Sequence, residues 1–180
     1  MRVIAGTAKG TRLKAPSGLS VRPTADRVKE ALFSIIGSRL VGSLFLDLYA
    51  GSGAIGIEAL SRGARSCIFV DDKKRNQTLI KENLIKTKLD GKARLIMLDV
   101  KKALVLLSRE EVKADLVYLD PPYDSPDLAF VIKRVFELKI IADNGLVIAE
   151  HAYSDNNWAA SIAKNRQRKY GDTCLTIFQN

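Results

Sequence analysis

The sequence predicts one α/β domain, built on a mostly parallel sheet with helices on both faces. After residue 40, short apolar runs alternate with helical stretches, which is typical of strand-helix-strand crossovers. The apolar runs are rich in Ile, Leu, Val and Phe, as strands buried on both faces require. At 180 residues and 47% hydrophobic, the chain is long enough to bury a substantial core.

The elements follow from these runs in chain order. Parallel strands are expected at residues 43–49, 66–70, 93–98, 114–119 and 145–150. Helices are expected at residues 54–63, 73–89, 100–111 and 127–139. Near the end, Gly171-Asp172 separates two strand-like runs and predicts a hairpin. The hairpin would complete a seven-stranded sheet with antiparallel strands at its edge.

Residues 1–40 differ in kind from the rest of the chain. The runs RVIAG and TRLKAP predict two short paired strands, and a helix is expected to follow with Thr24 as its N-cap and Asp26 in its first turn. Apolar residues recur there at helical spacing: Val28, Ala31, Leu32, Ile35 and Ile36. We expect a small basic extension of the same domain, with residues 41–180 forming the main unit.

The net charge of +9 predicts a polyanionic partner, because Lys and Arg displace counterions from phosphates. Residues 1–30 carry two acids and seven basic side chains, namely Arg2, Lys9, Arg12, Lys14, Arg22, Arg27 and Lys29. A second basic cluster occupies residues 164–169. The alternative for either cluster is a solvated face that only aids solubility.

Several classes of protein are disfavoured. No window of about 18 apolar residues occurs, and the first ten residues lack the apolar core of a signal peptide, so we expect a cytoplasmic protein with no membrane contact. Cys67 and Cys174 lie in no metal or redox spacing, and the chain has one histidine. A zinc site or a histidine-based triad is therefore not expected.

The motif LDLYAGSGAIG spans residues 46–56 and places Gly51, Gly53 and Gly56 between a strand and a helix. Such glycines let a ligand approach the backbone beside unpaired helix N–H groups. Twenty residues after Gly51, Asp71 ends the next apolar run, where a carboxylate can bind a ribose diol. A glycine turn followed by a surface Asp71-Asp72 pair that caps a helix is the alternative.

Two further acids bear on the identity of the ligand. Asp47 would repel a pyrophosphate but can pair with the cationic ammonium of a methionyl group, which favours S-adenosylmethionine. Asp99 ends the third apolar run and can bind an adenine amino group, cap the following helix, or do both.

The motif DPPY follows the fourth strand, at the sheet edge where open parallel sheets bind ligands. The prolines fix the backbone, so the Asp120 carboxylate and the Pro121 carbonyl form two acceptors at a set spacing. Two acceptors can hold both hydrogens of an exocyclic amine and aim its lone pair at a methyl group. Tyr123 would stack on the base. Ordinary turn chemistry is the alternative.

Four strings occur in the order of one known family: RVIAGTAKGTRLKAP, RPTADRVKEALFSII, LDLYAGSGAIGIEALSRGA and LDPPY. Together they resemble the RsmD-like family of class I S-adenosylmethionine-dependent methyltransferases, which methylate guanine N2 in small-subunit ribosomal RNA. The resemblance covers nearly the whole chain. It implies a Rossmann-like class I methyltransferase fold, with S-adenosylmethionine as cofactor. The family usually has Glu where this chain has Asp71-Asp72, and position favours Asp71 as the ribose ligand.

The expected site residues fall into three groups. Cofactor contacts are expected from Asp47, Ala50, Gly51, Ser52, Gly53, Gly56, Asp71, Asp72, Asp99 and Val100. Contacts with the reacting base are expected from Asp120, Pro121, Pro122 and Tyr123. Contacts with RNA are expected from Lys9, Arg12, Arg22, Thr24 and Arg27, of which Arg22 and Thr24 match the family's RPT element.

The expected function is methyl transfer to N2 of a flipped guanine in ribosomal RNA, within a small-subunit particle or assembly intermediate, by a monomer that binds no metal. Three rivals remain open. A DNA adenine-N6 methyltransferase uses the same DPPY chemistry but usually carries a target-recognition region. A protein glutamine methyltransferase typically has Asn at the position of Asp120. A nonenzymatic RNA-binding module would leave Asp47, Asp71 and Asp120 unexplained.

Overall fold

The structure, a computed structural model, contains the seven expected strands. They are β1 (Leu44–Leu48), β2 (Ser66–Val70), β3 (Ala93–Ile96), β4 (Ala114–Leu119), β5 (Ile141–Ala152), β6 (Asn165–Tyr170) and β7 (Thr173–Gln179). The α-helices are α1 (Pro23–Ile36), α2 (Ala54–Ser61), α3 (Lys74–Thr87), α4 (Val100–Arg109) and α5 (Leu128–Glu137). The structure describes residues 1–15, 23–122, 127–153, 157–162 and 164–180, without the side chains of residues 23–25, 157 and 160.

The strands form one mixed sheet in the order β3-β2-β1-β4-β5-β7-β6. The five strands from β3 to β5 are parallel, and β7 runs antiparallel between β5 and β6. The predicted fold class is therefore confirmed. Strand order reverses beside β1, so a crevice is expected at the carboxyl ends of β1 and β4.

Each face of the sheet is covered by its own apolar cluster. The first cluster joins Phe45, Tyr118 and Ile148 of the sheet to residues of the N-terminal extension and of α1, α2 and α3. The second cluster joins Val117 and Val147 to α4 and α5. Helices therefore lie on both faces, as the alternating pattern predicted. In the described part of the chain, no helix is long and apolar enough to span a bilayer.

One strand is longer than the sequence predicted. Ala114 pairs with Ile141, but Leu116 pairs with Leu146, so β5 carries extra residues in a bulge. Asn144 has a positive φ of 63° inside this bulge. The Asp-Asn-Gly string that forms it is typical of turns, which is why sequence reasoning began the strand only at Gly145.

The N-terminal extension forms the expected antiparallel pairing through a bridge between Arg2 and Arg12. The helix that follows starts earlier than predicted. It begins at Pro23, so Thr24 lies within its first turn and the prediction of Thr24 as N-cap was wrong. Proline is favoured at the first helical position because its fixed φ suits the helix and its missing N–H is not needed there. Asp26 is in the first turn, as predicted.

The extension docks on α2 through Glu58, whose side chain is fully buried. The backbone N–H groups of Ile4 and Ala5 donate to its two carboxylate oxygens, at 2.8 and 2.9 Å. Lys29 Nζ and Arg62 Nε lie 3.5 and 2.7 Å from the same carboxylate. The buried Lys29 is therefore a structural cation, although sequence reasoning counted it in the basic cluster.

Candidate active site

The glycine motif forms the turn from β1 into α2, as predicted. Gly53 occupies the N-cap of α2 with a φ of 76°. A Cβ on Gly56 would lie 2.3 Å from Phe69 Cε1 and 2.7 Å from Cys67 Sγ. No side chain fits there, so Gly56 allows α2 to pack directly against β2. The first turn of α2 is thereby held beside the end of β1.

Asp47 lies at the end of β1 under this turn and is 2% exposed. Its Oδ2 accepts a hydrogen bond from the backbone N–H of Gly56 at 3.0 Å. Burial raises the pKa of Asp47 to about 7, the Gly56 bond opposes this, and the nearby Asp71 adds a smaller upward effect. A cationic ligand group beside Asp47 would favour its ionised form, whereas a phosphate would oppose it.

Asp71 follows β2 and holds the glycine loop to the start of α3. Gly51 N donates to Asp71 Oδ2 at 2.9 Å, and Lys73 N donates to Oδ1 at 2.9 Å. The Asn76 side-chain amide contacts both oxygens, at 3.0 and 3.1 Å. Asp71 is 8% exposed, whereas the neighbouring Asp72 is exposed. The two acids therefore differ: Asp71 is built into the loop and Asp72 lies at its rim.

Tyr49 lies at the candidate site, although sequence reasoning did not select it. It is half-buried within the glycine motif and has a φ of 64°, which is uncommon for a residue with a side chain. Its pKa is raised to about 12 by burial and by the carboxylates of Asp99, Asp127 and Asp72, in that order. The hydroxyl therefore lies at an acidic rim. Its place inside the motif was the signal available in the sequence.

Asp99 and Val100 mark the start of α4, beyond the end of β3. Asp99 is the N-cap, and its Oδ1 accepts a hydrogen bond from Lys101 N at 2.9 Å. The prediction that Asp99 caps this helix is confirmed. Val100 is buried, while Asp99 is exposed toward solvent. The rim of the crevice thus combines an apolar residue with a carboxylate.

Asp120 directly follows β4, across the point where strand order reverses. Its side chain is exposed, and no side chain or backbone group in the described residues donates to it. Although the residue reaches solvent, the protein around its carboxyl group limits its hydration. This desolvation, followed by the carboxylates of Glu150 and Asp47, raises the pKa of Asp120 well above the usual range. Pro121 is buried and Pro122 is exposed. Tyr123 lies outside the described residues.

Glu150 is the second residue that sequence reasoning missed. Leu119 pairs with Ala149, so Asp120, which follows β4, lies beside Glu150, which is still within β5. Tyr118 is buried and its hydroxyl donates to Glu150 Oε2 at 2.5 Å. Desolvation raises the pKa of Glu150, and the Tyr118 bond lowers it. An acid at the end of the fifth apolar run was the available signal, of the same kind that marked Asp71 and Asp120.

The predicted RNA contacts are only partly described. Lys9, Arg12 and Arg27 are exposed, as a phosphate-binding role requires. Arg22 and the side chain of Thr24 lie outside the described part of the structure.

A direct connection links the N-terminal extension to the glycine loop through Asn83, which is fully buried in α3. Asn83 Oδ1 accepts from Lys14 N at 2.8 Å, and its Nδ2 donates to Lys14 O at 3.0 Å. The same Nδ2 donates to Ser52 O at 3.0 Å. The hydroxyl of Ser52 also donates to Met1 Sδ at 3.4 Å. The basic extension and the loop are therefore held by shared bonds.

Known proteins resemble this chain over its full length. A family model described as "Conserved hypothetical protein 95" matches residues 1–179. YlbH of Bacillus subtilis, named as a candidate rRNA methyltransferase, is 40% identical over 99% of this chain and 98% of its own length. Ribosomal RNA small subunit methyltransferase D of Escherichia coli K12 is 31% identical over 99% of this chain and 89% of its own length.

A solved structure carries the same likeness into three dimensions. The Escherichia coli protein yhhF, titled as a candidate methyltransferase, is 30% identical with a TM-score of 0.85, covering 100% of this chain and 97% of that chain. The chain therefore belongs to the RsmD-like methyltransferase family that its motifs resembled.

Proposed function

We propose that this protein transfers a methyl group from S-adenosylmethionine to the exocyclic N2 amine of a guanine in small-subunit ribosomal RNA. The proposal rests on the position and surroundings of Asp120. Its carboxylate lies at the carboxyl end of β4, next to an acid-lined glycine loop, and it has no hydrogen-bond donor among the described residues. A carboxylate in this position is available to accept hydrogen bonds from an amine.

The chemistry of the loop suits the proposed cofactor. Asp47 and Asp71 lie beside the glycines, and no cation of the described residues bonds to either of them. This environment disfavours a pyrophosphate and favours a sulfonium and an ammonium. S-adenosylmethionine, when bound, supplies an electrophilic methyl group. The names of the two relatives, which refer to methyltransferases, support the same choice.

Each end of the cofactor has proposed partners. Asp47 would pair with the methionyl ammonium, directly or through water, beside the backbone of Ala50 to Gly53. Asp71 would bind the ribose hydroxyls in place of the Asn76 amide, and Asp72 would supply the exposed second acid. Val100 would hold the adenine, and Asp99 would accept from its amino group.

Asp120 and the Pro121 carbonyl then hold the two hydrogens of the target amine. With both hydrogens held, the nitrogen lone pair points out of the base plane and toward the methyl group. The nitrogen becomes acidic only after it gains the methyl group, and Asp120 then accepts the proton it loses. Tyr123 provides a stacking surface for the base.

Glu150 supports guanine rather than adenine as the target. Tyr118 occupies one carboxylate oxygen, Oε2, so Oε1 is available beside Asp120. Guanine presents an N1–H donor next to its N2 amine, whereas adenine presents a bare N1 acceptor next to its N6 amine. A second acceptor in the pocket bonds guanine N1–H and repels adenine N1.

The RNA must deliver this base out of its stack, which costs a few kcal/mol and least in a loop or bulge. Lys9, Arg12 and Arg27 bind phosphates of the RNA, and the family's RPT element assigns Arg22 and Thr24 to the same role. A protein of 180 residues reads little sequence directly, so the shape of a folded RNA in a small-subunit particle or assembly intermediate guides it. It acts as a monomer.

A methyl-transfer assay tests the proposal. Tritiated S-adenosylmethionine is incubated with the protein and with free small-subunit RNA, assembled or partly assembled small subunits, or duplex DNA. Nucleoside digestion then identifies the product. We expect N2-methylguanosine from one of the ribosomal substrates. N6-methyladenine from DNA, or label in ribosomal protein alone, would overturn the proposal.

A further inference from the structure

The basic cluster at the C-terminal hairpin has no role in the site described above. Strand β6 is the edge strand of the sheet, and residues 164–170 contain four cations and no acid. Three of these cations, Lys164, Arg166 and Arg168, are exposed at alternate positions. In the strand itself, residues at alternate positions lie on the same face of the sheet.

The pairing of β6 with β7 shows which face of the sheet carries these cations. Arg166 pairs with Ile177 and Arg168 pairs with Leu175. Ile177 and Leu175 belong to the first apolar cluster, which also contains Tyr118 and the N-terminal extension. Side chains of paired residues point to the same face. Arg166 and Arg168 therefore lie on the face that carries the extension, and α1 packs against β6 there.

Lys169 differs from Arg166 and Arg168 in its surroundings. It pairs with Cys174, at the alternate parity, and its Nζ lies 3.6 Å from the centre of the Tyr153 ring. An engaged cation on the other face is not available to the crevice. Within β6, Arg166 and Arg168 therefore lie on the face of the extension, and Lys169 does not.

The register also places Arg168 in line with the acids of the crevice. Glu150 pairs with Leu175, and Leu175 pairs with Arg168. Two strand spacings, about 10 Å, therefore separate the backbones of Glu150 and Arg168. Asp120 follows β4, which pairs with β5 on the other side of Glu150. A base held at Asp120 would bring its sugar and flanking phosphates to this side of the pocket.

A surface depression lies beside Arg166, on the side away from the crevice. Its volume is about 620 Å³, and it is lined by Lys164, Asn165, Arg166, Ile177, Gln179 and Asn180. It lies toward the start of β6, whereas Arg168 lies near the end of that strand. The two arginines thus span from the depression to the edge of the crevice.

We propose that Arg166 and Arg168 bind the phosphates of the RNA segment flanking the flipped base, along a track on β6 that leads to Asp120. This inference rests on the proposed function, and it adds a second RNA-binding surface to that of the N-terminal extension. Arginine suits the role because its planar guanidinium bonds phosphate oxygens in pairs. The other explanation is that these charges only protect an exposed sheet edge.

The test compares two variants with the same loss of charge. One is Arg166→Gln with Arg168→Gln. The control is Lys102→Gln with Lys133→Gln, since these exposed lysines lie on α4 and α5, which cover the opposite face. Affinity for the ribosomal substrate is measured at several salt concentrations. We expect about tenfold weaker binding and a salt slope lower by about 1.5 for the arginine variant only.

Arg166→Lys with Arg168→Lys keeps the charges and should recover most of the slope, which a purely structural role of arginine would not produce. The wild-type protein is assayed for methyl transfer on the same substrate. No transfer by wild type would defeat the proposed function itself. Transfer by wild type, with equal salt slopes for the arginine and lysine variants, would overturn the phosphate track alone.

Discussion

The acids of the crevice and the cations around it are built in opposite ways. Asp47 and Asp71 are nearly buried. Asp47 accepts a hydrogen bond from Gly56 N of the glycine motif, and Asp71 accepts from Gly51 N of the same motif and from Lys73 N, just before α3. Lys9, Arg12 and Arg27 are exposed on the N-terminal extension. The acids therefore have fixed positions, whereas the cations can adjust to a flexible polyanion.

This difference matches two physical tasks. Aligning a methyl donor with an amine requires atoms held to a fraction of an ångström, and the bonded carboxylates of Asp47 and Asp71 provide this on the cofactor side. Attracting RNA requires charge density, which exposed side chains provide without fixed geometry. A substitution among the acids should therefore change turnover, while one among the cations should change affinity and its salt dependence.

The largest effect is expected from Asp120→Ala. Loss of the carboxylate removes the acceptor that orients the amine and takes its proton, so kcat should fall by about 10³-fold. Cofactor affinity, measured by calorimetry, should remain within several-fold of wild type. If cofactor binding is lost together with turnover, Asp120 belongs to the cofactor pocket and its assignment to the amine is wrong.

Glu58→Gln removes the buried carboxylate that anchors the N-terminal extension, which carries the exposed cations. The change leaves Lys29 buried without its counterion, so the free energy of unfolding should fall by about 3 kcal/mol in a urea titration. Glu82→Gln is the matched control, because its partner Lys14 is exposed and such pairs contribute less than about 1 kcal/mol. Equal losses from the two substitutions would show that Glu58 does not anchor the extension.

Charge reversal at Lys9 and Arg12 tests the cations themselves. The double substitution to Glu should weaken RNA binding by at least about tenfold and flatten the salt dependence. Turnover at saturating RNA should change little, because neither side chain reaches the crevice acids in a fixed position. Charge reversal at Lys102 and Lys133 is the control. An unchanged salt slope would return Lys9 and Arg12 to a role in solubility.

Sequence reasoning predicted the acids better than the cations for a physical reason. Asp71 and Asp120 each follow an apolar run, and Asp47 lies four residues before Gly51 of the glycine motif, near the end of β1. Parallel strands bring such ends to one edge of a sheet. Glu150 obeys the same rule and was missed because no named motif contains it. Lys29 could not be told from Lys9, since the burial of one and the exposure of the other depend on docking against Glu58.

Glu150→Gln tests whether Glu150 selects guanine over a base with a bare N1. The RNA substrates carry guanine or 2-aminopurine at the nucleotide that the wild-type protein methylates. 2-Aminopurine keeps the amine but presents a bare N1. Wild type should prefer guanine in kcat/KM by about tenfold. Gln can donate to the bare N1 and still accept from Tyr118, so the preference should shrink. An unchanged ratio would limit Glu150 to supporting Tyr118.

Asn83→Ala should have the smallest effect, and it tests whether the acids and the cations are independent. The change leaves Ser52 O and the backbone of Lys14 without their bonds to Asn83, so both the glycine loop and the extension lose a constraint. The KM values for cofactor and for RNA should therefore both rise several-fold. Lys14→Ala is the control, because it removes only the exposed pair with Glu82 and keeps these backbone bonds. A rise in the RNA KM alone would mean that Asn83 holds the extension without positioning the loop.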